Sequence, residues 1–132
     1  MPLKITLKPG EKIIIDGAVI KNGEKATTFY IENKATILRE KDIMREEDAI
    51  TYCSKIYFII QLMYLDGKNM VEYHNIYWKL VQDLVEAVPR ATGIVDAISQ
   101  NILEENYYKA LKLAKKLIAF EKEVLSRVKN RY

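Results

Sequence analysis

Over the first forty residues apolar and polar positions alternate with the period of two that a strand requires, and from about residue 46 they recur at spacings of three and four, the period of a helix. Leu3, Ile5 and Leu7 alternate with Lys4, Thr6 and Lys8, which puts apolar side chains on one strand face and polar ones on the other. Pro9-Gly10 turns the chain. Ile13-Ile14-Ile15 is β-branched throughout and bounded by Asp16-Gly17, while Val19-Ile20 leads into Asn22-Gly23, a strong two-residue hairpin signal. Thr27 to Ile31 reads as the returning strand, Glu32-Asn33 as a turn, and Thr36-Ile37-Leu38 as a last short strand. The expected arrangement is a small antiparallel β meander.

Glu46-Glu47-Asp48 then reads as an acidic first turn at the positive end of a helix dipole, followed by Ile50, Cys53, Ile56, Tyr57, Ile60, Met63 and Tyr64 on one face. Asp66-Gly67 ends that helix. A second runs from about Met70 to Val88, stops at Pro89, and aligns Tyr73, Ile76, Tyr77, Leu80, Leu84 and Val88. Thr92 is the expected cap of a third, through Ile94, Val95, Ile98 and Ile102. A fourth starts near Asn106 with Tyr107, Leu111, Ala114, Leu117, Ile118, Glu121 and Leu125 inward and Lys109, Lys112, Lys115, Lys116 and Lys122 outward. The expected fold is α+β: a β module over residues 1–45 and a helical layer of about four helices over 46–132, sharing one core.

With 132 residues and 49% apolar content the chain has material for one such core and excludes two large domains. The net charge of +3 comes from 21 basic and 18 acidic side chains, and all of the excess lies in residues 1–45. That is a mild local preference for a polyanion. One cysteine, Cys53, allows no intramolecular disulfide, and the N-terminus does not read as a signal peptide. The most apolar window, Ile56 to Leu65, falls well short of the ~18 residues that span a bilayer. A cytoplasmic protein with no membrane partner is expected.

Catalytic material is sparse. His74 is the sole histidine and sits within the second helical pattern, where a packing or surface role suits it; with one Cys and one His, neither CxxC pairs nor HExxH can occur. The five glycines are scattered, so no phosphate-cradling loop forms. The acidic clusters Glu46-Glu47-Asp48 and Glu104-Glu105 fit helix starts, and Cys53 fits an apolar stripe as a small buried hydrophobe. The sequence predicts neither an enzyme nor a cofactor.

The basic side chains near the strands are more informative. Lys4, Thr6 and Lys8 share a polar strand face, Lys12 follows the turn, and Arg39, Lys41 and Arg45 follow the last strand. If the first and last strands come close, these residues form an edge suited to phosphates and splayed bases. A solvated face with gatekeeping lysines on edge strands accounts for the same pattern, so both readings stand at this point. Most aromatics fall in helical patterns and read as packing; Phe29 and Tyr30 are the strand exceptions. A helical groove lined by aromatics also suits a partner helix. The lysine-rich fourth helix suits a membrane surface, though solvation accounts for its polar face.

Several strings are familiar together: Met1-Pro2-Leu3-Lys4, Leu7-Lys8-Pro9-Gly10-Glu11-Lys12, Asp16-Gly17-Ala18-Val19-Ile20-Lys21-Asn22-Gly23, Glu32-Asn33-Lys34-Ala35, Ile37-Leu38-Arg39-Glu40-Lys41-Asp42-Ile43-Met44, Ile56-Tyr57-Phe58, Met63-Tyr64-Leu65-Asp66 and Tyr107-Tyr108-Lys109-Ala110-Leu111. In order and spacing they resemble the FlbT family of bacterial flagellar regulators. That resemblance implies a non-enzymatic cytoplasmic regulator that associates with the 5′ untranslated leader of flagellin mRNA and promotes its decay. Residues Leu3, Ile5, Thr6, Lys8, Gly10 and Glu11, with Leu38-Arg39-Glu40, also resemble carbon-storage regulator (CsrA) proteins, whose first strand and post-strand segment grip a GGA loop in a strand-exchanged dimer. Leu7 stands where that family often has a second basic residue.

From the residues and both resemblances together, Lys4, Thr6, Lys8, Lys12, Arg39, Lys41 and Arg45 are the expected RNA-binding set, with Lys4, Lys8 and Lys41 on the backbone and Arg39 making the most specific contact. The helices would present an apolar groove to flagellin or another flagellar regulatory protein. The alternative is a flagellin-binding or export-chaperone-like module that acts without RNA. Exposed sheet edges also leave a homodimer open.

Overall fold

A computed structural model of the chain describes the backbone of residues 2–130 and the side chains of residues 2–126. Two compact units emerge, Met1–Ile43 and Met44–Tyr132. Strands fill the first and four helices the second, as the α+β expectation has it.

The strands are β1 (Leu3–Leu7), β2 (Lys12–Ile15), β3 (Ala18–Lys21), β4 (Thr27–Ile31) and β5 (Ile37–Arg39). They pair antiparallel in two small sheets, β1-β4 and β3-β2-β5. This order corrects the meander, because β2 and β3 are the one pair of consecutive strands that form a hairpin. Its turn is Asp16-Gly17, with φ of 48° and 84°, the left-handed geometry a tight two-residue hairpin demands. Asn22 and Gly23 take no positive φ and turn no hairpin. Asn22 instead acts through its side chain: the amide donates to the carbonyls of Lys8 (2.8 Å) and Lys25 (2.9 Å) and accepts from the Thr27 hydroxyl (2.9 Å). One polar residue thus ties the end of β1 to the start of β4.

Ile5, Leu7 and Ile13 form the interior of this unit, with Ile15, Phe29, Ile31 and Ile37 packed against them. Leu3, expected to share that face, is half exposed at the strand's start. Asp16 fixes the approach of β5, since its backbone N–H donates to the Thr36 carbonyl and its carboxylate accepts from the Thr36 N–H, both at 2.8 Å.

The helices are α1 (Tyr52–Leu65), α2 (Met70–Ala87), α3 (Thr92–Leu103) and α4 (Tyr107–Asn130). Glu46–Asp48 is a separate 3-10 turn and not the opening of α1. The helix starts later because Thr51 and Ser54 build a capping box: the Thr51 hydroxyl accepts from the Ser54 N–H (3.1 Å) and the Ser54 hydroxyl accepts from the Thr51 N–H (2.8 Å). Thr92 is likewise the first helical residue of α3 and not its cap, and its hydroxyl donates to the Pro89 carbonyl at 2.7 Å.

α1 packs against α2 and α4, and α3 against α4. The central place of α1 explains why Cys53, Ile56, Tyr57, Ile59, Ile60 and Met63 are all buried. Gln61 is buried among them, yet satisfied: its side chain accepts from the Met44 N–H (2.8 Å) and donates to the Met44 carbonyl (2.9 Å). On α2 the inward stripe is Tyr77, Val81 and Leu84, so Ile76 lies outside it and is exposed. The Tyr77 hydroxyl meets Ser99 of α3 at 2.8 Å. α4 buries Ala110, Leu111, Ala114 and Leu117, whereas Leu125 is half exposed. Among the described residues no helix is long and apolar enough to cross a membrane.

Candidate nucleic-acid interface

The Pro9-Gly10 turn is tight because Gly10 takes φ 72° and the Glu11 N–H closes onto the Lys8 carbonyl at 3.0 Å. That geometry brings the Glu11 carboxylate back over the turn, where it accepts from the Lys8 N–H at 2.8 Å. The antiparallel pairing of β2 with β5, in which Ile13 faces Arg39, carries Arg39 to the same place. Its Nη2 donates to the Thr6 carbonyl at 2.7 Å and lies 3.5 Å from Glu11 Oε2.

Lys8, Arg39 and Lys41 line an open depression of about 660 Å³ together with Thr6, Pro9, Gly10, Glu11 and Glu40. Arg39 is half-buried, and its Nη2 is held between the Thr6 carbonyl and Glu11. A guanidinium fixed in this way presents a preorganised donor edge, the geometry that bidentate recognition of a base or phosphate uses. The hydrogen bond from the Lys8 N–H, aided by the Arg39 charge, holds the Glu11 carboxyl below the usual carboxylate range. Glu11 is therefore ionised at neutral pH and keeps Arg39 in place.

The expected site residues are distributed as follows. Thr6, Lys8, Arg39 and Lys41 come together, although Thr6 contributes a backbone carbonyl while its hydroxyl is spent on Thr28 across the strand pair, at 3.2 Å. Lys4 lies on β1 opposite the exposed Tyr30, so a cation and an aromatic ring stand side by side on that sheet. Lys12 lies opposite Lys21, two like charges in direct register. Lys4, Lys8, Lys12 and Lys41 make no ion pair among the described residues. Arg45 belongs to the second unit and is paired with Glu47 (3.3 Å) and Asp48 (3.1 Å).

Two charged residues of this unit escape the sequence pattern, Lys21 opposite Lys12 and Glu11 in the depression. Lys21 is hidden by the hairpin that Asn22-Gly23 suggests. Glu11 enters only through a resemblance; its role in aiming Arg39 has a signal in its position directly after a Pro-Gly turn, where a side chain folds back onto the turn's N–H groups.

In the helical unit the reactive side chains are occupied by packing. Burial, reinforced by Glu121, pushes the Cys53 thiol up to about 12. His74 meets the Tyr107 hydroxyl at 3.4 Å and the edge of its ring, an interhelical contact.

Comparison with known proteins adds an independent line. The sequence profile of the family described as "Flagellar protein FlbT" matches residues 3–125. A probable flagellum biosynthesis repressor protein FlbT of Rhodopseudomonas palustris is 44% identical over 127 residues, covering 96% of this chain and all of the relative. The flagellum biosynthesis repressor protein FlbT of Caulobacter vibrioides is 39% identical over 130 residues, covering 97% of this chain and 92% of the relative. A second FlbT of Bradyrhizobium diazoefficiens is 32% identical over 129 residues, covering 96% and 93%. No solved structure gives a significant match.

Proposed function

This chain belongs to the FlbT family of flagellar proteins, and on that premise we propose that it represses flagellin synthesis after transcription by binding the 5′ untranslated leader of flagellin mRNA and promoting the message's degradation. It does so as a cytoplasmic, non-enzymatic regulator. The observation that carries the reading is the aimed Arg39: one nitrogen is held by the Thr6 carbonyl and Glu11, beside a depression rimmed by Lys8 and Lys41. In this mechanism Lys8 and Lys41 neutralise phosphates around an unpaired stretch of the leader, Lys4 beside Tyr30 extends the contact along β1, and Arg39 reads a base edge. Thr6 and Glu11 position Arg39, Lys12 and Lys21 add positive field, and Arg45, already neutralised, takes a minor part.

A fluorescence-anisotropy titration of the full chain with a flagellin leader RNA, beside a scrambled RNA and at two salt concentrations, tests this. Tight, selective binding that weakens with salt is expected, and Arg39→Ala should remove the selectivity. Binding no better than to the scrambled RNA overturns it. A second reading is favoured by exposed Val71, Ile76 and Trp78 on α2: a flagellin-binding or export-chaperone-like module whose apolar contacts are insensitive to salt.

A further inference from the structure

The sequence pattern leaves one feature without a use, the lysines of α4. Between Tyr107 and Phe120 this helix has Lys109, Lys112, Lys115 and Lys116 and no acid. No other helix has such a run of cations: α1 has Lys55 as its charged residue, α2 has Lys79, 3.4 Å from Asp83, beside Glu72 and Glu86, and α3 has Asp96. On α4, Lys109, Lys112 and Lys116 are exposed, share a face at spacings of three and four, and make no ion pair among the described residues.

Their placement opposes the helix's own electrostatics. Lys109 and Lys112 lie in the first two turns, near the positive end of the helix dipole, and Lys112 and Lys116 are like charges one turn apart. Acids would solvate that face as well and would suit the positive end of the dipole. Beyond Glu104 and Glu105, which precede the helix, this stretch of α4 offers its cations no acid of its own, so they are open to an external anion.

Tyr108 identifies which kind. Its ring is exposed beside the lysines, 5.6 Å from the Tyr64 ring and 4.9 Å from the Lys112 ammonium. The Lys112 ammonium lies over this ring as a cation–π pair, and a base that displaces it gains the stack while Lys112 turns to a phosphate, the combination that binds single-stranded nucleic acid. From Lys109 to Lys116 the face runs about 10 Å along the helix axis, long enough for consecutive phosphates.

We propose that the α4 face built from Tyr108, Lys109, Lys112 and Lys116 is a second RNA-binding surface, one that grips backbone without reading sequence. It rests on the RNA reading above and assigns the helical unit a share of the affinity while the Arg39 site supplies the selectivity.

The test uses the full chain and fluorescein-labelled flagellin leader RNA over a series of salt concentrations. K109Q/K112Q/K116Q should lower affinity at least tenfold and reduce the log–log salt slope by about 2, at about 0.7 for each phosphate that is no longer neutralised, while preference over scrambled RNA persists. K109R/K112R/K116R keeps the charge and should keep affinity and slope. Tyr108→Leu should lower affinity several-fold with the slope unchanged. If the unaltered chain binds RNA and the glutamine variant retains its affinity and slope, this surface is refuted while the Arg39 site stands. No RNA binding by the unaltered chain refutes both. Retention of that chain on polyglutamate instead, abolished in the glutamine variant, overturns the RNA assignment and gives the face to an acidic protein.

Discussion

In the helical unit α1 hides side chains on most of its circumference between α2 and α4, whereas in the β unit burial is confined to Ile5, Leu7, Ile13, Ile14 and Leu38 among the described residues, and only β2 buries two consecutive ones. The helical unit is held by area removed from water. The β unit, with about forty residues, has too little of it and relies on individual polar residues: Asn22 stapling β1 to β4, Asp16 holding Thr36, and Arg39 bound to the Thr6 carbonyl. The difference teaches why the candidate interface lies where it does. A scaffold braced by surface hydrogen bonds presents rigid polar groups to solvent, and the proposed function gives Arg39, one of the braces, the recognition role as well.

That contrast can be broken most forcefully from the helical side. Ile60 is fully buried on α1, and Ile60→Ala should cost about 2–5 kcal/mol of stability, read from the urea midpoint. Gln61→Leu comes next, at about 1–3 kcal/mol, because it abandons the part-buried N–H and carbonyl of Met44. Were it neutral, the clamp would be incidental and burial alone would hold the unit. On the β side Asn22→Ala should cost about 1 kcal/mol, several hydrogen bonds notwithstanding, since water can replace them at an exposed turn. Arg39→Ala should cost about 1 kcal/mol of stability, because its bond to the Thr6 carbonyl and its ion pair with Glu11 are partly exposed, while RNA affinity falls at least tenfold.

The smallest effect is that of acid. Each unit has a carboxylate whose pKa folding depresses: Glu11, through the Lys8 N–H, and Asp66, through the Tyr73 hydroxyl (2.6 Å) and the Lys68 N–H (2.9 Å). A depressed carboxylate contributes stability that is complete above its unfolded pKa and lost as pH falls through the folded value. Melting temperatures followed from about pH 7 to about pH 3 should therefore decline, and Asp66→Asn should flatten the helical unit's share of that decline.

Much of this architecture is legible in residue order. The five strands and four helices follow from alternation, three-and-four spacing, and turn residues such as Pro9-Gly10 and Asp16-Gly17. Their pairing does not follow, because Asn22-Gly23 has the composition of a hairpin turn, while which strands lie side by side is set by long-range contacts that local preference cannot see. The helix starts are misplaced for a similar reason: Glu46-Glu47-Asp48 and Thr92 suit a helix end, but the Thr51–Ser54 reciprocal bonds and the turn at Pro89 decide where the ends are. At the interface, the convergence of Thr6, Lys8, Arg39 and Lys41 is legible from the idea that first and last strands meet. The orienting role of Glu11 is not, since it depends on a backbone N–H whose direction only the folded turn defines.

Cys53, the chain's single thiol, lies inside the helical unit with its proton held firmly. The protein thereby comes with its own opening gauge. Alkylation at neutral pH proceeds through conformations that uncover the first turn of α1, so the ratio of the labelling rate in native buffer to that in denaturant reports the free energy of that opening. Measured with and without the proposed RNA, the same ratio registers how much of any binding energy reaches the start of α1.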